Sequence, residues 1–229
     1  MTFPLVSRLP PKTHVGIIGA SGAGKSKFLV MLLLPWLRSR LAGVTAIDPH
    51  GSFVRDVIAY CANPKDGLVD RTIHYFNPAS EACCAVNPLE IDGAINDAAA
   101  AERANLLVSV IEAKFDAKPE ETPRLSRLVF VLAFAVALRG GTLLDVLKLT
   151  TLGGSALRDI VITHTTNPVV RDELVDLDTL ARTQPARFLE LVESLRNRLV
   201  RWLADPRLAR LLGQPRGFNP RAAMDGRQV

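Results

Sequence analysis

The chain has 229 residues, of which 48% are hydrophobic and 22% are charged, and its formal net charge is +5. This composition indicates a globular protein with one well-buried domain, or one domain carrying a subdomain, and it excludes a disordered chain. The three cysteines fit no disulfide framework, and the apolar runs at 28–37 and 128–138 have about half the length that a membrane-spanning helix needs. We therefore expect a cytoplasmic protein with reduced thiols and no transmembrane segment in this chain.

A phosphate-binding motif is the first recognisable element. A strand is predicted at 14–18 and an apolar helix at 26–34, ending near Pro35, so the motif lies between a strand and a helix, as a P-loop requires. Its glycines let successive backbone N–H groups turn towards phosphates, and the N-terminus of the following helix adds positive charge. Lys25 is predicted to reach the β and γ phosphates of ATP, and Ser26 to bind Mg²⁺. The predicted ATP-binding residues are Gly19, Ala20, Ser21, Gly22, Ala23, Gly24, Lys25, Ser26 and Lys27, of which the first eight spell G-x-x-x-x-G-K-S.

Strands and helices are predicted to alternate over the residues that follow. A short apolar strand at 43–47 ends at Asp48, a helix with Ser52 as a candidate N-cap covers 52–62, and a third strand covers 71–76. Strands separated by helices predict an α/β fold, with a parallel sheet that binds its ligand at the carboxyl ends of the strands. The P-loop and Asp48 both follow such ends.

Asp48 admits three interpretations. A P-loop ATPase holds Mg²⁺ partly through an acid at the end of an apolar strand, and 43–47 is the only apolar strand here that ends in an acid. Asp48 would then be the Walker B aspartate. Alternatively, Asp48 caps a turn in which Gly51 takes an unusual backbone dihedral. The third interpretation, which we favour, places Asp48 near the nucleotide without making it the main metal-binding acid. Lys25 and Asp48 are thus the candidate catalytic residues.

From about residue 95 the pattern becomes helical, and an all-helical insertion on a nucleotide-binding sheet accounts for it. Helices are predicted at 98–115, 123–139, 143–150, 155–163, 168–177 and 185–203. The predicted domains are 1–94, the first part of the α/β core, 95–215, the insertion, and 216–229, a return towards the core. Because Arg227–Val229 reads as the start of another strand, we expect the sheet to be incomplete at the C-terminus and the chain to be part of a longer protein.

Arginines are concentrated late in the chain. Nine of them lie between residues 182 and 221: Arg182, Arg187, Arg196, Arg198, Arg201, Arg207, Arg210, Arg216 and Arg221. Such a cluster is compatible with nucleic-acid binding, and a solvated helix face explains it equally well.

Several further segments occur in a characteristic order. They are Ile47–Phe53 (IDPHGSF), Tyr75–Pro78 (YFNP), Val86–Glu90 (VNPLE), Trp202–Pro206 (WLADP), Leu211–Gln214 (LLGQ) and Met224–Gly226 (MDG). Together with the P-loop, they resemble the HerA/FtsK-type motor ATPases, and most closely the TraD/TraG-like coupling proteins of conjugation and type IV secretion. The P-loop alone is specific only to the superfamily, whereas the D-P-H-G, F-N-P and N-P-L segments narrow the resemblance.

The resemblance implies a RecA-like P-loop NTPase domain interrupted by an all-helical domain. Such proteins assemble as hexameric rings and use ATP with Mg²⁺ to move double-stranded DNA or DNA–protein cargo, often beside membrane-associated secretion machinery. By motif position, Gly19–Ser26 would bind ATP and Mg²⁺, and Asp48 would lie at the edge of the site. The family's Walker B strand, sensor and inter-subunit arginine follow the helical insertion, and no counterpart is found in these 229 residues. Hydrolysis by this chain itself therefore stays open.

Three functions follow from these observations. The leading one is an ATP-binding part of a DNA-translocating ATPase, whose complete form couples ATP hydrolysis to DNA movement. The second is a small P-loop phosphotransferase that uses Asp48 as its metal-binding residue or base. The third is a non-catalytic module in which nucleotide organises the helical part for a partner.

Overall fold

The structure is a computed structural model that describes residues 14, 16–39, 43–63, 72–80, 84–115 and 123–226. These residues form ten α-helices and a short 3₁₀ turn at Leu152–Gly154. The helices are α1 (Lys25–Ser39), α2 (Ser52–Ala62), α3 (Asp97–Phe115), α4 (Pro123–Leu138), α5 (Leu143–Leu149), α6 (Ser155–His164), α7 (Pro168–Thr183), α8 (Pro185–Leu203), α9 (Pro206–Leu212) and α10 (Pro220–Asp225).

The predicted parallel sheet is wrong, because the residues that the structure describes form no β-strand. The described parts of the three predicted strands have no regular secondary structure. Ile18 and Ile47, at the ends of two of them, are 99% and 87% exposed. A parallel strand is stable only when its backbone groups are paired and its apolar side chains are covered on both faces. These short apolar segments lack that cover, so the described part of the chain is helical and is not an α/β sheet fold.

The chain divides into two compact units. The first unit comprises Met1–Tyr75 and Pro220–Val229, and the second, called here the helical unit, comprises Phe76–Asn219. The domain boundaries expected at residues 94 and 215 stay predictions. The predicted strand start at Arg227–Val229 lies outside the described residues.

In the first unit, α1 and α2 pack through a small apolar core. Val30 and Leu37 of α1 meet Val57 and Cys61 of α2, and all four are buried. The expected end of α1 near Pro35 is wrong, because the helix continues through this proline to Ser39. A proline inside a helix costs about 3 kcal/mol, and burying a leucine such as Leu37, which is 1% exposed, recovers about 2 kcal/mol of that. The prediction for α2, residues 52–62, is confirmed.

The helical unit contains the six helices predicted after residue 95, observed as α3 to α8. Their bounds agree with the prediction within a residue or two, except that α7 extends to Thr183. The apolar helix α4 lies at the centre and packs against α3, α5, α6, α7 and α8. Val192, Leu195 and Leu199 recur at three- and four-residue spacings along α8 and form its buried face, each at 0% exposure. In the described ranges, no helix combines the length and hydropathy needed to cross a bilayer.

A buried ion pair joins helices inside this unit. The Arg158 Nε donates to Asp178 Oδ1 at 2.7 Å, and the Arg158 side chain also donates to the carbonyl oxygens of Leu149 and Thr151. Arg182 binds the other carboxylate oxygen of Asp178. Burial would raise the pKa of Asp178, but its hydrogen bonds to Arg158 and Arg182 outweigh this and hold the pKa below the usual value. Arg158 is only 1% exposed, so these partners compensate the burial of its charge.

Two distant segments of the helical unit are fastened to each other by hydrogen bonds. We call this pairing of residues 84–92 with residues 211–219 the clamp. Buried Asn87 donates its two amide hydrogens to the carbonyl oxygens of Gly141 and Pro215, at 3.0 and 2.9 Å. The Gly217 N–H donates to Glu90 Oε2 at 2.8 Å, and the Asn219 amide donates to Asp92 Oδ2 at 2.7 Å. The clamp therefore joins the beginning and the end of the helical unit. It also brings together Val86–Glu90 and Leu211–Gln214, two of the segments that carry the family resemblance, since the Val86 N–H donates to the Leu211 carbonyl oxygen.

Candidate nucleotide-binding site

The G-x-x-x-x-G-K-S segment forms a tight turn that leads directly into α1. Gly22 and Gly24 both have φ of +82°, in the left-handed region that other residues rarely adopt. A Cβ built on either glycine would meet no atom within 4 Å, so the backbone conformation, rather than lack of space, requires glycine here. Gly19 differs, since it has an ordinary φ and an added Cβ would make only ordinary contacts with Ala23 and Lys25. The two inner glycines therefore shape the loop.

Lys25 closes the loop in this structure. Its ammonium group donates hydrogen bonds to the carbonyl oxygens of Gly19 and Ala20, both at 2.6 Å. The Ala23 N–H donates to the same Ala20 carbonyl at 3.2 Å. The Lys25 ammonium thus lies inside the turn of its own loop. A phosphate group in this turn would compete with these two carbonyl oxygens for the Lys25 ammonium group.

The loop is accessible and its helix end is positive. Gly19–Gly24 are exposed, as are Ser26 and Lys27 in the first turn of α1. No acidic residue lies in that turn to neutralise the helix dipole. These features fit the binding of a phosphate chain, with the Ser26 hydroxyl as the side chain that would hold Mg²⁺. Among the described residues, no group of three or more histidine, cysteine, aspartate or glutamate side chains is arranged so that it could hold a metal ion.

Asp48 lies in the turn that precedes α2. Its carboxylate accepts hydrogen bonds from the backbone N–H groups of His50, at 2.9 Å, and Val54, at 3.1 Å. Gly51 occupies the N-cap position of α2 with φ of +77° and provides no side-chain cap. The expectation that Ser52 caps this helix is therefore wrong, because Asp48 supplies the carboxylate from four residues earlier. The turn with a capping aspartate and an unusual Gly51 dihedral, the second of our three interpretations, is present.

These contacts also set the charge of Asp48. Partial desolvation would raise the pKa of Asp48, but hydrogen bonds from the backbone N–H groups of Val54, His50, Gly51 and Phe53 outweigh this and lower it below the usual value. The carboxylate is therefore ionised at neutral pH. The hydrogen bonds that the structure describes for it all come from its own turn and from the first turn of α2.

The P-loop and the Asp48 turn occupy similar positions, since each directly precedes one of the two helices that pack together in the first unit. The P-loop leads into α1 and the Asp48 turn leads into α2, and the core of Val30, Leu37, Val57 and Cys61 holds the two helices together. Within the described residues, no hydrogen bond or ion pair joins Asp48 to the loop residues 19–27. A role for Asp48 at the nucleotide stays a prediction.

Comparison with protein families gives one match. Residues 11–116 match the family model described as helicase HerA, central domain. This range includes the P-loop, α1, the Asp48 turn, α2 and α3. The match supports a P-loop ATPase of the HerA/FtsK type. It does not distinguish the TraD/TraG-like branch. Neither the comparison with curated proteins nor the comparison with solved structures gave a match.

Proposed function

We propose that this chain binds ATP through the P-loop as part of a DNA-translocating motor ATPase similar to the TraD/TraG-like coupling proteins. The observation that supports the proposal is the loop itself, which combines two left-handed glycines, a Lys25 ammonium group turned into the loop and an α1 N-terminus without acidic residues, as phosphate binding would need. The match to the HerA central domain supports the motor class. The movement of double-stranded DNA, by a hexameric ring beside secretion machinery, rests on the resemblance alone.

The roles of the loop residues follow from their chemistry. Backbone N–H groups of the turn and of the first turn of α1 bind phosphate oxygens, and the helix dipole favours their negative charge. The Lys25 ammonium group would exchange its two carbonyl hydrogen bonds for contacts with the β and γ phosphates. There it would stabilise the negative charge that develops during phosphoryl transfer. Ser26 would hold Mg²⁺ through its hydroxyl, and the ion would supply positive charge that stabilises the phosphates during their transfer.

The phosphotransferase alternative is weakened by the structure. It requires Asp48 to act as the metal-binding residue or base, but both carboxylate oxygens of Asp48 already accept backbone hydrogen bonds. If Asp48 lost these hydrogen bonds in order to bind a metal ion or a proton, α2 would lose its N-terminal cap. The assembly-module alternative makes no such demand, and turnover measurements separate it from the motor.

The direct test is binding of ATP with Mg²⁺, measured by isothermal titration calorimetry. Lys25→Ala removes hydrogen bonds between charged groups and should weaken binding by roughly tenfold or more. The control is Lys114→Ala, an exposed lysine in α3 with the same loss of charge. Equal affinity of wild type and Lys25→Ala would overturn the proposed site.

A second measurement addresses the motor. ATP turnover by the intact chain is followed with and without linear double-stranded DNA. Turnover that DNA stimulates, and that Lys25→Ala abolishes, supports the translocase. Binding without any turnover, with or without DNA, favours the assembly module for this chain. Turnover that depends on a small acceptor molecule favours the phosphotransferase.

A further inference from the structure

The arginines late in the helical unit have little acidic compensation. Residues 194–219 contain six arginines and a single acidic residue, Asp205. The Asp205 carboxylate already accepts hydrogen bonds from the backbone N–H and the guanidinium group of Arg207. Among the described residues, none forms an ion pair with the other five arginines, which are Arg196, Arg198, Arg201, Arg210 and Arg216. This stretch therefore has a surplus of positive charge that the fold does not neutralise.

Two of these arginines share one aromatic ring. The guanidinium carbons of Arg198 and Arg201, in the last two turns of α8, lie 5.3 and 5.7 Å from the centroid of the Phe115 ring. Phe115 is the last residue of α3, and its ring is 5.5 Å from that of Trp202. Arg198 also donates a hydrogen bond to the carbonyl oxygen of Ser194 at 2.9 Å. We call Phe115, Arg198 and Arg201 the arginine stack. Stacking, rather than carboxylates, holds its two guanidinium groups in place.

The arginine stack is not fully compensated inside the chain. Arg198 and Arg201 are three residues apart on one helix, where like charges repel. The negative end of the α8 dipole offsets positive charge only in the last turn, which contains Arg201 but not Arg198. The Arg198 Nε is buried and has no hydrogen-bond partner among the described residues. An anion that contacted both guanidinium groups would relieve the repulsion, and the stacked side chains would lose little freedom when it bound.

The surroundings of the arginine stack indicate which kind of anion fits. A guanidinium group matches the geometry of a phosphate with two parallel hydrogen bonds. The surplus of arginines over residues 194–219 suits a ligand whose negative charge is continuous, such as a nucleic acid, whose duplex carries one charge per about 1.7 Å. Among the large apolar side chains of this stretch, which the structure describes throughout, Val200 alone is exposed. A protein partner would instead need an apolar centre for its interface.

We propose that the arginine stack binds the phosphodiester backbone of a nucleic acid, with Arg198 and Arg201 each contacting a phosphate. Such contacts position the nucleic acid without reading its sequence. Taking this nucleic acid to be the double-stranded DNA that the motor moves rests on the proposed function. The contact itself uses neither the P-loop nor ATP.

Fluorescence anisotropy with the full chain and a short, fluorescein-labelled DNA duplex tests this proposal. The titration is repeated at several salt concentrations between about 50 and 200 mM, because each phosphate contact contributes about 0.9 to the slope of log Kd against log salt concentration. Arg198→Gln with Arg201→Gln should raise the Kd roughly tenfold or more, and should lower that slope by about 1.8, as the loss of two phosphate contacts predicts. Arg198→Lys with Arg201→Lys keeps both charges and should keep most of the slope, which separates the contact from a purely structural role.

The matched control is Arg124→Gln with Arg187→Gln. It removes the same charge from exposed arginines of the helical unit that lie beside the carboxylates of Asp176 and Glu190. Its Kd should stay within about twofold of the wild-type value, as expected for surface substitutions, and its salt dependence should be unchanged. The titrations contain no nucleotide, so their failure is distinguishable from failure of the calorimetric test at the P-loop.

Two further probes separate the classes of ligand. A single-stranded oligonucleotide should bind more weakly than the duplex, because each of its phosphate contacts releases fewer counterions, and a labelled peptide of glutamates should bind more weakly than either. The proposal is overturned if the duplex does not bind, if the stack and control variants behave alike, or if the glutamate peptide binds as tightly as the duplex. Tighter binding of the single strand would overturn the assignment to double-stranded DNA.

Discussion

The backbone conformation of the loop lets us predict how much Gly24→Ala should weaken ATP binding. Gly24→Ala places a side chain on a residue with φ of +82°. Because the added Cβ would meet no atom within 4 Å, the substitution has no steric cost, and only the conformational cost remains. That cost is roughly 1–2 kcal/mol for an L-residue in the left-handed region. We expect the exposed loop of the variant to relieve this strain by relaxing when it is free, and a bound phosphate to hold the loop in the left-handed conformation. The cost should therefore fall on binding.

The expected result is a Kd for ATP with Mg²⁺ that rises by roughly five- to thirtyfold, which is the same 1–2 kcal/mol expressed as affinity. The midpoint of thermal unfolding without nucleotide should change little. Gly22→Ala should behave in the same way, because its φ is also +82°. Gly16→Ala is the control, since Gly16 has an ordinary φ and equally free space. Binding by Gly24→Ala within twofold of wild type, or equal loss in Gly16→Ala, would refute the reasoning.

The remaining predictions concern stability and are measured by chemical denaturation. Asp48→Ala should lower the free energy of unfolding, and Asp48→Asn should lower it less, because the amide oxygen of asparagine can replace only one of the two accepting carboxylate oxygens; equal losses would contradict the capping role. Asp178→Asn removes the negative charge that pairs with buried Arg158, and it should lower the free energy of unfolding by about 2–3 kcal/mol at pH 7. Because the pKa of folded Asp178 is lowered, the difference in unfolding free energy between wild type and Asp178→Asn should shrink as the pH falls below about 4. A difference that does not shrink with falling pH would count against the stabilising role of the ion pair. Asn87→Ala removes three hydrogen bonds and should cost about 2–3 kcal/mol, against less than about 0.5 for exposed Asn197→Ala. Similar losses for these two asparagines would show that the clamp contributes little.

The features that sequence predicted well depend on residues close together in the chain. The P-loop conformation follows from glycine spacing over a few residues, and α8 follows from an apolar repeat that Val192, Leu195 and Leu199 bury. The Asp48 turn was foreseen as one of three alternatives, because Asp-x-x-Gly is a local turn signal. In each case the stabilising contacts lie within one or two helical turns of the residues that specify them.

The features that sequence did not predict depend on distant partners. Whether a short apolar run such as 43–47 pairs in a sheet is decided by other segments, and its composition alone could not tell. Pro35 is a strong local signal for a helix end, yet burial of Leu37 beyond it carries α1 onward. The role of Asn87 was hidden for the same reason, since its acceptors Gly141 and Pro215 lie 54 and 128 residues away. Nothing local distinguishes such an asparagine from one in a surface turn.

The clamp has a consequence for how this chain can be rearranged. The rings of Phe76 and Phe218, at the two ends of the helical unit, are 4.6 Å apart, so the unit begins and ends at one place. A short connector could therefore join the two ends. The helical unit could therefore be replaced by a short linker, or inserted into a surface turn of another protein. In both cases the entropic cost of joining the ends would be small, because the ends lie close together. The helical unit could then be acquired or lost without cutting through its own core.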